Sequence, residues 1–195
     1  MTIPAIREKN RRDGILQAAA ELCARQGIGE TNLRQIARKA GMSSGTLHYY
    51  FPSKHELLDA LVLKAVTPHQ RQSWEVVRGD RHPREQLGEL VRLTFALFDA
   101  NWHLYYVAML LADRLRARKP NEFPSTTGAL EELVRHGQQA GLVAEGDPLL
   151  LAILCHGMIL RVPRARAFGE LEPPLCQYVD QVVEACWRVL APPNP

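Results

Sequence analysis

Cysteine is scarce in this sequence. Four thiols in 195 residues, Cys23, Cys155, Cys176 and Cys186, lie far apart and show no paired spacing of a zinc site or a disulfide framework. They read as small buried hydrophobes in a reducing cytoplasm, and neither a structural metal nor a cofactor is expected. Long apolar runs are lacking as well. The longest uncharged stretches, 100–112 and 148–160, hold 13 residues each, short of the roughly 20 that cross a bilayer. No apolar run follows the basic start, so no secretory leader and no membrane partner are expected. Also missing are a Ser/His/Asp order, a Gly-rich phosphate loop, an H-E-x-x-H and paired Glu-x-x-His motifs. Their absence argues against the common enzyme classes, although scattered catalytic groups stay open. No run alternates with the period of a strand, and there is no repeat.

What is present is ordinary in composition and uneven in charge. With 46% hydrophobic and 23% charged residues, the chain can bury roughly 70% of its unfolded surface without staples. Residues 1–55 carry nine Lys or Arg against four acids, and residues 56–195 carry fifteen against seventeen. A basic module, 1–55, joined to a near-neutral body, 56–195, points to a polyanionic partner for the first part alone, or to a solvated basic face.

Apolar residues recur at three and four, and Gly and Pro punctuate them. Ile15, Ala18, Ala19, Leu22 and Cys23 form one stripe, stopped by Gly27. Thr31 is the expected cap of a short helix ended by Gly41, and Ser43 of another. Ser53 and Glu56 form a capping box before a fourth helix, which Pro68 should kink or stop. Longer helices are expected over 84–100, 102–118, 125–140, 147–167 and 173–190, with Pro163 bending the penultimate one and the tail from 192 frayed. The fold class is therefore all-α, about nine helices, with a small N-terminal three-helix module and a helical bundle.

The stretch 31–50, TNLRQIARKAGMSSGTLHYY, is the informative one. Two helices of about eight residues flank Ala40-Gly41-Met42, as a helix-turn-helix requires. Ile36, Met42 and Leu47 would close the core beneath the turn. The second helix would face outward with Ser44, Gly45, Thr46, His48, Tyr49 and Tyr50, groups suited to base edges, thymine methyls and phosphates. Gly27, Thr31, Ile36-Ala37, Ala40-Gly41, Ser43, Gly45-Thr46-Leu47, Tyr50-Phe51, Ser53-Lys54 and Leu57-Leu58 together resemble the DNA-binding domain of the TetR family of bacterial transcriptional regulators, over about 11–61. His48 departs from the family, which usually has Tyr there.

The resemblance implies a homodimeric repressor that sets its third helix in the major groove of a palindromic operator. Arg34, Ser43, Ser44, Gly45, Thr46, His48, Tyr49, Tyr50 and Lys54 are then the implied DNA contacts. Arg34, Ser44 and Thr46 suit bases, while Ser43, Tyr49 and Lys54 suit phosphates. Tyr49 and Tyr50 could instead pack the third helix on the fourth, and Arg34 could be a solvated charge. The basic segment 7–12 either follows the minor groove or is unstructured. The dimer is implied to form through the last two helices, along Leu150, Leu151, Leu154, Val179, Val182, Val183, Cys186 and Leu190.

The resemblance also implies a small-molecule effector, apolar or aromatic, among the middle helices. Trp74, Phe95, Phe98, Trp102, His103, Tyr105, Tyr106 and Met109 are the candidate lining, with plain core as the alternative. Asp99 and His103, four apart, should share a face as a local ion pair, or hold a polar ligand group or, with a third partner, a metal. His136 and His156 read as structural. The fourth helix, with Pro68 near its middle, is the expected lever between effector and DNA. An all-helical enzyme or adaptor, and a DNA-binding regulator with no inducer, are the alternatives to a ligand-released repressor.

Overall fold

The computed structural model describes residues 3–119 and 127–192, and side chains from Glu8 onward. Among the described residues there are nine α-helices, one 3-10 turn and no strand. They are α1 (Ile3–Gln26), α2 (Leu33–Lys39), α3 (Ser44–Tyr50), α4 (Lys54–Val77), α5 (Pro83–Ala100), α6 (Trp102–Arg118), α7 (Gly128–Gln139), α8 (Pro148–Ala167) and α9 (Val179–Leu190), with the turn at Leu175–Tyr178. The basic segment 7–12, expected as an arm, is part of α1. Pro68 and Pro163 lie inside α4 and α8 without ending them. Each removes one backbone donor, a loss that long helices held by packing can carry.

Two compact units form, 1–65 with 101–123, and 66–100 with 124–195. The division expected at 55/56 differs from this one. It falls within the first turn of α4, and α6 joins the N-terminal helices because it packs along α1. In this first unit α1 buries Ile15, Leu16, Ala18, Ala19, Ala20 and Cys23, while Leu22 is only half-buried. On α6 Leu104, Val107, Ala108, Leu111 and Leu115 form one buried stripe. Polar ties add direction: Asn101 Nδ2 donates to Gln17 Oε1 at 2.8 Å, Lys64 pairs with Asp13 at 2.7 Å, and Arg118 pairs with Asp59.

The second unit is built around α5, which packs on α7, α8, α9 and the 3-10 turn. Its buried face is Leu87, Leu90, Val91, Thr94, Phe95 and Phe98. α7 lies close against the segment that follows it. A methyl placed on Gly137 would come within 2.3 Å of Val143 Cγ2 and 3.3 Å of Pro83 Cγ. Gly137→Ala is therefore expected to cost about 1–3 kcal/mol through overpacking, despite the better helix propensity of alanine. A thermal midpoint equal to or above the parent's would contradict that packing.

By length and mean hydropathy α8 is long and apolar enough to cross a membrane, in contrast to the expectation drawn from its 13-residue uncharged stretch, 148–160. It packs on α7 and α9. Its apolar exposure is concentrated in its first half, at Leu149, Leu150, Ile153 and Leu154.

Candidate nucleic-acid interface

The turn between α2 and α3 follows from its sequence. Gly41 takes φ +68°, a conformation that costs an ordinary residue roughly 1–2 kcal/mol. Its N–H donates to Arg38 O at 3.2 Å, and Met42 N–H reaches back to Ala37 O at 3.0 Å, which closes α2 by a Schellman motif. The cap at the other end of α2 is Asn32, not Thr31. Asn32 Oδ1 accepts from Gln35 N at 3.0 Å, and Asn32 N donates to Gln35 Oε1 at 2.8 Å. Thr31 is fully buried, with its hydroxyl on Gly27 O at 2.8 Å. Both residues can cap, and the one aligned with the first free amides does so.

α3 is held from beneath and open above. Leu47 is fully buried, as are Ile36 and Ala37 on α2. Ser43 caps α3, its Oγ accepting from Thr46 N at 3.1 Å. Arg34, Ser43, Ser44, Gly45, Thr46, His48 and Tyr49 are all exposed, and Tyr49 reaches 77%. Tyr50 is half-buried and meets Tyr49 edge-on at 5.3 Å. Arg34, Arg38, Ser43 and Ser44 line one shallow hollow beside the turn. Lys54 is turned inward: its Nζ donates to Ile28 O at 2.5 Å and to Gly29 O at 3.3 Å. It clamps the loop between α1 and α2, a role that spacing alone does not disclose.

Further ties fix these helices to α1. Lys39 Nζ bonds Glu21 at 2.7 Å, which holds the Glu21 carboxyl below its ordinary pKa, helped by Gln17. The Arg12 guanidinium lies 5.0 Å over the Phe51 ring. The result is a rigid support carrying a short helix whose outer face is polar, exposed and flanked by Arg34 and Arg38.

Residues 15–61 match the family of bacterial regulatory proteins of the tetR type. Over these residues the chain carries a TetR-type DNA-binding domain. The fatty acid metabolism regulator protein of Bacillus subtilis is 22% identical over 169 residues, covering 85% of this chain and 81% of that protein. Among solved structures, FadR from Bacillus subtilis in complex with stearoyl-CoA superposes with a TM-score of 0.76 at 23% identity, covering 89% and 96% of the two chains. SmeT of Stenotrophomonas maltophilia, in its triclosan complex, gives 0.73 at 22% identity over 93% and 92%. With this domain the chain is a DNA-binding transcriptional regulator.

The other expected sites fare unevenly. α5 ends at Ala100 and α6 begins after Asn101, whose φ of −148° and ψ of 76° break the helix. A spacing of four across that break no longer means one face. Asp99 accordingly makes no pair with His103. It accepts from Arg166 Nη1 at 3.1 Å and from the amides of Leu175 and Cys176 at 2.8 and 3.0 Å. Trp74, Phe95 and Phe98 belong to the second unit; Trp102, His103, Tyr105, Tyr106 and Met109 belong to the first. Trp102 and Tyr106 stack at 5.1 Å, and burial raises the Tyr105 pKa. His136 is exposed and pairs with Glu132 at 3.1 Å.

The expected dimer seam also needs correction. Val179, Cys186 and Leu190 are buried within their own unit, because α9 turns that stripe toward α5 and α8. Val182 and Val183 are half-buried, as is Leu151. Leu149 and Ile153, absent from the expected set, are exposed beside Leu150 and Leu154. Of the cysteines, Cys176 is exposed rather than buried.

One residue was missed outright. His69 Nε2 lies 3.0 Å from Thr94 Oγ1, and desolvation, with the neighbouring His156 second, lowers its pKa to about 4. The unfolded chain takes up this proton near 6.5 while the folded one resists until about 4, so stability falls as pH drops through that window. The full loss is on the order of 3 kcal/mol. Urea melts at pH 7 and pH 4.5 should show it, and the difference should shrink in His69→Gln. An unchanged difference would mean that other groups carry the pH dependence.

Proposed function

We propose that the protein represses transcription as a homodimer on a palindromic operator and releases it when a small apolar or aromatic effector binds. The reading rests on α3, an exposed polar helix anchored by one buried leucine, Leu47. Inserted in a major groove, it would read bases through Arg34, Ser44 and Thr46. Ser43, Tyr49 and the remaining Lys54 proton would meet phosphates, and Gly45, His48 and Tyr50 complete the contact set. Residues 1–55 would be the DNA-reading part and 56–195 the effector-binding and dimer-forming part. No catalytic role is assigned, and the cytoplasm is the place of action.

Dimerisation through α8 and α9 is supported by the exposed Leu149, Leu150, Ile153 and Leu154, and by a shallow apolar groove that Met158, Val162, Val182 and Ala185 help to line. Two-fold symmetry then sets half-sites one turn, about 34–36 Å, or a multiple apart. The stearoyl-CoA and triclosan complexes of the structural neighbours favour an apolar effector. α4, continuous from Lys54 to Val77 with Pro68 inside, would carry the change. An effector acts through it only by preferring the DNA-incompetent state.

Fluorescence anisotropy with the duplex upstream of the protein's own gene, over a range of salt, tests the reading. Tight binding that weakens steeply with salt and exceeds that of a scrambled duplex is expected. Equal affinity for both duplexes, or none, would refute it.

A further inference from the structure

From Arg34 to Lys54 the chain has Arg34, Arg38, Lys39 and Lys54 as its Lys and Arg residues, and the structure divides them into two pairs. Lys39 and Lys54 are engaged within the first unit, one by Glu21 at 2.7 Å and the other by the carbonyls of Ile28 and Gly29. Arg34 and Arg38 are exposed, and neither guanidinium has an ion pair among the described residues. They stand four apart on α2 and so share one face. Like charges at that spacing destabilise a helix, and α2, LRQIARK, holds no acid to offset them. Both arginines line the hollow beside the turn, an open space of about 530 Å³ that Gly41, Ser43 and Ser44 also line. No carboxylate lines it. A polyanion laid against α3 therefore meets two cations here with no competing acid.

We propose that Arg38, which lies outside the contact set inferred above, holds a backbone phosphate of the operator over this hollow. This rests on the reading of α3 as the helix that enters the major groove. In a helix-turn-helix the second helix enters the groove while the first crosses the sugar-phosphate backbone. α2 is the first helix here, and Arg38 sits in its last turn, beside the turn that leads into α3. A guanidinium offers a phosphate two parallel donors. Unlike the adjacent Lys39, Arg38 has no ion pair to α1, so its loss leaves the packing of the module in place. Its charge is then read in DNA binding alone.

Arg38→Gln removes the charge and keeps much of the length. Fluorescence anisotropy on the full-length protein uses the duplex upstream of its own gene, the single-base-pair variants of that duplex and a scrambled one, over a range of potassium chloride. Arg38→Gln is expected to weaken every duplex alike, about tenfold at physiological salt. The slope of log affinity against log salt should fall by about one for each protomer bound. Arg38→Lys should restore most of both, because a phosphate accepts a point charge whereas a guanine edge demands the planar fork. The thermal midpoint of Arg38→Gln should match or exceed the parent's, since one of two like charges on α2 is gone. An unchanged affinity and slope in Arg38→Gln would overturn the proposal. So would a preference relaxed at one base pair that Arg38→Lys does not rescue, which would make Arg38 a base reader. A fall in affinity that tracks a lowered midpoint would overturn it too, as a structural role. If the parent separates its own duplex from the scrambled one and Arg38→Gln changes nothing, only this phosphate contact falls. If the parent binds neither duplex, the operator reading itself falls and takes the contact with it.

Discussion

Leu150→Asp combined with Leu154→Asp is expected to turn the protein into a monomer and to lower operator affinity by a factor on the order of 10²–10⁴. The two leucines are 53% and 47% exposed, with Leu149 and Ile153 alongside at 46% and 49%. Four large apolar groups on one face of α8 gain little from water, and each contributes roughly 1.5–3 kcal/mol when fully covered. Across a two-fold axis the double substitution places four carboxylates in the covered surface, where desolvation and mutual repulsion oppose pairing. A monomer reads one half-site, and the loss of linked binding accounts for the fall in affinity. Light scattering gives the mass and anisotropy gives the affinity. Because both side chains are exposed, helicity should be preserved. A dimer of unchanged mass would remove α8 from the interface.

Asp99→Ala is expected to destabilise the protein by about 3 kcal/mol or more, roughly 6–12 °C in thermal midpoint. The carboxylate answers three donors at once, Arg166 and the amides of Leu175 and Cys176. Its side chain and that of Arg166 are only 18% and 19% exposed. Removing it takes away the ion pair that Asp99 makes with a largely buried guanidinium and unties the start of the 3-10 turn that leads into α9. Asp99→Asn keeps an oxygen for the amides but loses the charge, so it should fall between the two. Thermal melts followed by circular dichroism decide, and a midpoint within 2 °C of the parent, about the shift of 0.5–1 kcal/mol, would show that this carboxylate does not hold the turn.

Within α2, α3 and α4 the informative spacings are short. Ser43 to Thr46, Ser53 to Glu56 and the positive φ of Gly41 are relations within a few residues, and the structure realises them. Local capping and turn chemistry are set by neighbours in sequence, so the helix-turn-helix and its exposed face were legible. Helix limits were also close, for example 84–100 against Pro83–Ala100, because Pro and Gly stop helices wherever they are packed. Thr31 against Asn32 shows the limit of that legibility: two adjacent capping residues compete, and burial of Thr31 decided.

Sequence by itself established an all-helical chain, a cationic head with a turn that only glycine closes comfortably, and an outward polar helix, since each depends on backbone chemistry over a few residues. Tertiary structure alone decided which carboxylate meets Arg166, that Lys54 Nζ grips Ile28 and Gly29 across 26 and 25 positions, that α9 hides Cys186 and Leu190 while α8 shows Leu150 and Leu154, and that His69 and Thr94 meet 25 positions apart. Those pairings depend on how helices rotate about their axes when they pack. That rotation is set by summed side-chain volume across distant segments, which no local pattern contains.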